Sequence, residues 1–288
     1  MSKALERISV RAPDGVEIIG DRGGAEGAPA VILMHGGGQT RHSWDRTVDQ
    51  LLEQGLQVLN YDARGHGESG WSADGAYALT DRSRDLQTVT ALLAVPFLLV
   101  GASLGGATAI QAIHGGFPPA GRVLAAIVPE QEAKGVERIV SFMRGHGAGF
   151  ASIDEAVDAV ASYNPDRPRP SDSGGLMRNL RRREDGRLYW HWDPRILETG
   201  PNVHHLAVQR AAATLENLPD LPVMLVRGLS SDVVSNEGVR AFQKRLPRLE
   251  VLDVAGAGHM VAGDRNDAFT AGILAFSERV LSGLGTAA

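Results

Sequence analysis

The 288-residue chain contains no cysteine, which excludes disulfides, thiolate metal ligands and a thiol nucleophile. Charge of neither sign dominates: 29 basic residues against 34 acidic ones give a formal net charge of -5. Bulk electrostatics therefore favours neither nucleic acid nor an anionic membrane as a partner. The one basic cluster, RNLRRRED at 178–185, carries its own acids and no interleaved aromatics, so it reads as a solvated helix face or loop. Long hydrophobic runs are missing too. ALLAVPFLLVGA, the longest, falls well short of the roughly 18 residues that suggest a membrane span. The start, MSKALERISV, has early charges and no apolar core, so no secretory leader is expected and a cytoplasmic location is. There is no internal repeat.

Glycine, in contrast, is frequent at 35 residues and clusters at apparent turns, which points to many tight connections. ERISVRA and GVEIIGD flank a PDG turn and predict an antiparallel hairpin. AVILMHGGG and LQVLNYDARGHG each predict a buried strand opening into a loop. SWDRTVDQLLEQG lies between them as a helix, with Ser43 as its expected N-cap and Gly55 as its stop. Strand and helix go on alternating through FLLVGAS, GGATAIQAIHGG and GRVLAAIVP, then again from LPVMLVRG to a last helix in DAFTAGILAFSERVLSGL. Such alternation predicts an α/β fold, a mostly parallel sheet covered by helices on both faces. The rhythm breaks between residues 130 and 217. The expected organisation is thus a core of residues 1–129 and 218–288 with an inserted helical lid, 130–217, over the carboxyl ends of the strands, where such sheets bind ligands.

Gly101, Ala102, Ser103, Leu104 and Gly105 form GxSxG between a predicted strand and a predicted helix. The pentapeptide alone fits either a glycine-rich bend or a strained turn that lifts the Ser103 hydroxyl above the sheet. A serine nucleophile needs a base. His259, in VAGAGHMVAGD after the last strand, is the candidate, with Gly256, Ala257 and Gly258 letting its loop pass close over the sheet. The other eight histidines are expected to be ordinary surface residues. The base needs an anionic partner, and Asp232 follows the preceding strand in the order Ser103, Asp232, His259. Glu130, after the strand that follows the nucleophile helix, competes for that role, and Asp253 and Asp264 lie near His259 in sequence only. Two donors complete an oxyanion hole: the backbone amides of Leu104 and of Gly37 in MHGGGQT. HGGG lacks the GK[ST] ending of a phosphate loop and the GxGxxG spacing of a dinucleotide loop.

HGGG, YDARGHGES, GASLGG, the late Asp232 and GAGHM together resemble the α/β-hydrolase fold superfamily over nearly the whole chain. QTRHSWD is similar to the segment found in its cofactor-free haloperoxidase (perhydrolase)-like group. The resemblance implies an eight-stranded sheet, a Ser103 acyl-enzyme with His259 shuttling the proton, no metal or organic cofactor, and a small or medium carboxylic ester or lactone as substrate. It also implies that Asp62, Arg64 and His66 are structural, with Arg64 tying loops together. Perhydrolase or haloperoxidase activity, N-acyl homoserine lactone cleavage and a non-catalytic ligand-binding role are its alternatives. In the lid, alternation in LYWHWDP sets Trp190 and Trp192 on one face and Tyr189 and His191 on the other. One tryptophan, and Met260 beside the base, are expected at the substrate pocket.

Overall fold

A computed structural model describes residues 5–165, 174–198, 201–264 and 266–282. The strands are β1 (Glu6–Arg11), β2 (Glu17–Gly23), β3 (Ala30–Met34), β4 (Gln57–Tyr61), β5 (Phe97–Ala102), β6 (Gly121–Ala125), β7 (Leu180–Arg182), β8 (Leu188–Trp190), β9 (Val223–Gly228) and β10 (Glu250–Val254). The helices are α1 (Asp45–Glu53), α2 (Leu79–Thr90), α3 (Leu104–His114), α4 (Ala133–Arg144), α5 (Ile153–Tyr163), α6 (Gly174–Met177), α7 (Pro201–Glu216), α8 (Asn236–Arg245), α9 (Val261–Asp264) and α10 (Asn266–Ser282).

Eight strands form one sheet in the order β1-β2-β4-β3-β5-β6-β9-β10. The β1–β2 hairpin pairs antiparallel, as PDG predicts, β2 runs antiparallel to β4, and the remaining neighbours are parallel. The central strands read as near-continuous apolar runs because both faces are covered. Val31, Leu33, Val100 and Val226 meet α1 and α10 on one face, while Leu124, Leu225 and Ile110 share a cluster with α7 and α8 on the other. Among the described residues no helix is long and apolar enough to cross a membrane.

Three local expectations need correction. Ser43 does not cap α1: it sits inside a 3-10 turn, Arg41–Trp44, that leads into the helix with no side-chain cap. Gly55 does end it, with φ +81°. The cluster at 178–185 is solvated but not helical, since Leu180–Arg182 is the first strand of the β7–β8 hairpin and Arg181, Arg182 and Arg183 are exposed. Finally, α7 was not expected. It buries Val208, Ala211, Ala212 and Leu215 against the core, one stripe at helical spacing. The elements before it in 130–217 have a separate cluster around Met143, Phe150, Leu188, Trp190 and Trp192.

Candidate active site

The carboxyl ends of β3, β5, β6 and β10 open into one cavity of about 570 Å³, roofed by α4, α5 and the β7–β8 hairpin. Ser103, Leu104, Gly37, His259, Met260, Trp190 and Trp192 all line it.

Ser103 stands between β5 and α3 with φ +45° and ψ -106°, a conformation costly for a residue with a Cβ. Neighbouring glycines make the turn possible. A Cβ on Gly101 would stand 2.5 Å from the Gly105 carbonyl carbon, and one on Gly105 2.3 Å from the Met34 carbonyl oxygen. The Ser103 amide donates to the Ala125 carbonyl at 2.8 Å, fixing the turn to β6. Leu104 then begins α3, so its N–H belongs to the helix's unsatisfied first turn.

In HGGG the Gly36 amide donates to Gln39 Oε1 at 2.9 Å and the Gly38 amide to His66 Nε2 at 3.1 Å. Among the described residues no hydrogen bond uses the Gly37 N–H, and Met143 and Leu104 lie nearest to where its Cβ would be. Three histidines are buried around this loop: His66, expected to be structural, and His35 and His191, which were expected at the surface. Every ring nitrogen is engaged by backbone. Ala63 N–H donates to His35 Nε2, so His35 Nδ1–H donates to the Gly36 carbonyl. His66 accepts from Gly38, so its Nδ1–H faces the Arg64 carbonyl at 3.2 Å. His191, carried by the lid, accepts the Gly67 N–H at 2.7 Å and points Nε2–H at the Gly38 carbonyl, 3.3 Å away. Burial first, then mutual repulsion or nearby arginines, lowers the pKa of all three, and His191 falls to about 3. They are neutral braces. Among the described residues no cluster of His, Asp or Glu is placed to hold a metal ion.

YDARGHGES is likewise framework. Arg64 grips Asp85 through Nε and Nη2, both at 2.6 Å, and reaches Asp14 and the Ala76 carbonyl. Asp62 accepts from the Arg41 amide and guanidinium and from the Glu68 amide.

His259 and Asp232 lie on adjacent loops. Leu229 N–H donates to the Val254 carbonyl and Ser230 N–H to the Ala257 carbonyl, each at 3.0 Å. The close approach rests on a glycine in the facing strand: a Cβ on Gly228 would stand 2.2 Å from the Ala257 oxygen. Asp232 is outside the cavity wall, half-buried, with Arg138 Nε of α4 at 3.2 Å. Glu130 is held at 2.9 Å by Arg245, which also pairs with Glu216. Asp253 is taken by Arg227 at 2.6 Å, and the side chain of Asp264 lies outside the described residues. Trp190 and Trp192 stack with centroids 4.9 Å apart, and Met260 Sδ accepts from Gln39 Nε2 at 3.2 Å. The expected split of LYWHWDP holds for the tryptophans but not for solvent exposure, because His191 is as buried as they are. Sequence reasoning also missed Gln39, Met143, Arg82 and His204, all in the cavity wall. No short motif marks them.

A sequence profile described as the alpha/beta hydrolase family matches residues 31–271. Esterase Rv0045c of Mycobacterium tuberculosis is 31% identical over 246 residues, 83% of this chain and 79% of that one. Its structure superposes with a TM-score of 0.75 at 26% identity, covering 96% of this chain and 93% of the other. Protein phosphatase methylesterase 1 of Bos taurus is 26% identical over 144 residues, 48% of this chain and 38% of its own. An alpha/beta hydrolase from Novosphingobium aromaticivorans shares the fold, with a TM-score of 0.78 at 22% identity over 98% and 99% of the two chains. The strained Ser103 turn, the glycine loop, the sheet order and these similarities converge: the chain belongs to the alpha/beta hydrolase family.

Proposed function

We propose that this protein is a serine esterase that cleaves small or medium carboxylic esters through an acyl-enzyme on Ser103. The observation that carries the reading is the strained Ser103 turn in the wall of a cavity that His259 and the Gly37 loop also line. The similarity to proteins named esterase and methylesterase supports it.

In this reading His259 takes the hydroxyl proton as Ser103 Oγ attacks the ester carbon. The carbonyl oxygen becomes an oxyanion, stabilised by the Leu104 and Gly37 amides. Its collapse expels the alcohol, which receives the proton from His259. Water then attacks the acyl-enzyme by the same steps and releases the acid. Asp232 orients the imidazole and stabilises its charged form. Support for that assignment is the hydrogen-bonded pair of loops carrying the two residues. Residues 130–217 act as the lid: α4, α5 and the hairpin shape the pocket and Trp190, Trp192 and Met260 contact the substrate, whereas α7 ties the lid's end to the sheet.

The test is a panel of short nitrophenyl esters, lactones and amides, each with and without hydrogen peroxide, using Ser103→Ala as control. Ester turnover abolished in the variant is expected. Turnover confined to lactones makes the protein a lactonase, peracid formation outpacing hydrolysis makes it a perhydrolase, and unchanged ester release from Ser103→Ala refutes the nucleophile.

A further inference from the structure

The cavity wall contains a full positive charge that no described acidic side chain reaches. Arg82, in the first turn of α2, is 3% exposed and faces the cavity. Among the described residues its guanidinium makes one hydrogen bond, a long one of 3.2 Å from Nη1 to the Arg64 carbonyl. Its Nε is buried with no partner. The Tyr77 ring lies 5.8 Å from its Cζ and contributes cation–π attraction but no acceptor atom.

The nearby carboxylates are committed elsewhere. Asp85, three residues along the same helix, attracts Arg82 electrostatically, yet Arg64 holds both of its oxygens. Asp14 also goes to Arg64, and Asp21, Asp62 and Glu68 go to Arg41. Burial, only partly offset by Asp85, pulls the Arg82 pKa down to about 10, so the side chain is charged at neutral pH. A buried charge without a hydrogen-bonded counterion is costly, and this one is exposed to the space where substrate must sit. His204 of α7 shares the cavity wall. Its pKa falls to about 4, through burial first and then the Arg82 charge, so at neutral pH it offers an N–H without adding a second charge. Among the described residues no hydrogen bond engages it.

We propose that Arg82, with His204 in the same cavity wall, is an anion-binding corner that selects esters bearing a second, ionised carboxylate at the end of the acyl chain. The inference rests on the serine-esterase reading for its substrate class. One guanidinium and a neutral imidazole in one cavity wall match a monoanion. The rest of the wall, with Val136, Ile139, Val140 and Phe142, suits the methylene chain between the two ends.

The experiment compares kcat/KM for the 4-nitrophenyl hemiesters of adipic, pimelic and suberic acids with that for the neutral methyl 4-nitrophenyl diesters of the same acids. The wild type should prefer the hemiester for at least one chain length. Arg82→Met should reduce that charged-to-neutral ratio by about tenfold or more, the loss of a charge-assisted hydrogen bond, and Arg82→Lys should retain part of it. A ratio is independent of the fraction of active protein. Heat denaturation of Ser103→Ala protein with free suberate or with neutral suberamide reads binding without catalysis: suberate should raise Tm more than the diamide does. No hemiester preference at any length, a ratio unchanged by Arg82→Met, or equal shifts with suberate and suberamide each overturn the proposal. If no ester is turned over but suberate alone stabilises the protein, the esterase reading fails and the anion corner stands. If Arg82→Met does not fold, Arg82→Lys and the wild-type comparisons decide.

Discussion

His191→Leu separates a bracing histidine from an incidental one. The imidazole is 1% exposed, accepts the Gly67 N–H at 2.7 Å and faces the Gly38 carbonyl at 3.3 Å. Leucine fills similar space but accepts nothing, so the Gly67 N–H is left buried and unpaired at a cost of about 1–3 kcal/mol. The long contact to Gly38 adds little. At pH 7.5 the variant should therefore be about 2 kcal/mol less stable. Acidification should shrink that difference. Burial, then repulsion from His35, holds the folded pKa of His191 at about 3 against an ordinary 6.5. Its contribution is thus fully present above the unfolded pKa and is lost as pH falls toward the folded one. Between pH 7.5 and 5.5 the unfolded wild type takes up a proton that the folded state refuses, which costs about 1.4 kcal/mol of stability. The leucine variant has no such proton to gain. Urea titrations at the two pH values measure this directly, with m-values checked for constancy. A penalty that is equal at both, or larger at pH 5.5, would refute the neutral, backbone-bound state of His191.

Other consequences follow from the same contacts. Gly105→Ala places a Cβ 2.3 Å from a backbone oxygen of β3, so about 1–3 kcal/mol of stability should be lost along with most activity; a fully active, equally stable variant would contradict the elbow. Asp85→Asn strips the buried Arg64 of its bidentate partner and should cost about 3–5 kcal/mol in chemical denaturation. Asp14→Asn, at the exposed end of the same network, should cost less than about 1 kcal/mol. Asp232→Asn should reduce kcat by about three to four orders of magnitude, while Glu130→Gln should leave it within a few-fold. The reverse outcome would transfer the acid's role to Glu130.

The strand-to-helix alternation was readable because it is local: apolar runs, caps and glycine stops lie within a dozen residues of one another. Ser103 was readable for the same reason, since the strain at the turn demands Gly101 and Gly105 beside it in the chain. What escaped depends on contacts between distant segments. His191 looks like a surface residue in LYWHWDP, and only the fold brings it to Gly67 and Gly38. Arg82 sits in a charged helix, TDRSRD, where every neighbour suggests solvent. Its isolation becomes visible only when Asp85 is seen gripped by Arg64 from another loop. Helix α7 is the exception, for its apolar spacing at 208, 211, 212 and 215 was present in the sequence but masked by the irregular stretch before it. In the His259 loop the small residues pointed to close packing, yet the glycine that permits the approach is Gly228 in β9.

Ester turnover should pass through covalently acylated Ser103. Mixing the protein with a slowly deacylating 4-nitrophenyl ester, quenching in acid and mapping peptides by mass spectrometry tests it most directly. A mass increase equal to the acyl group is expected on the peptide containing Ser103, formed in step with a stoichiometric burst of nitrophenol and absent from Ser103→Ala. Acylation at another residue, or turnover in Ser103→Ala at the wild-type rate, would contradict it.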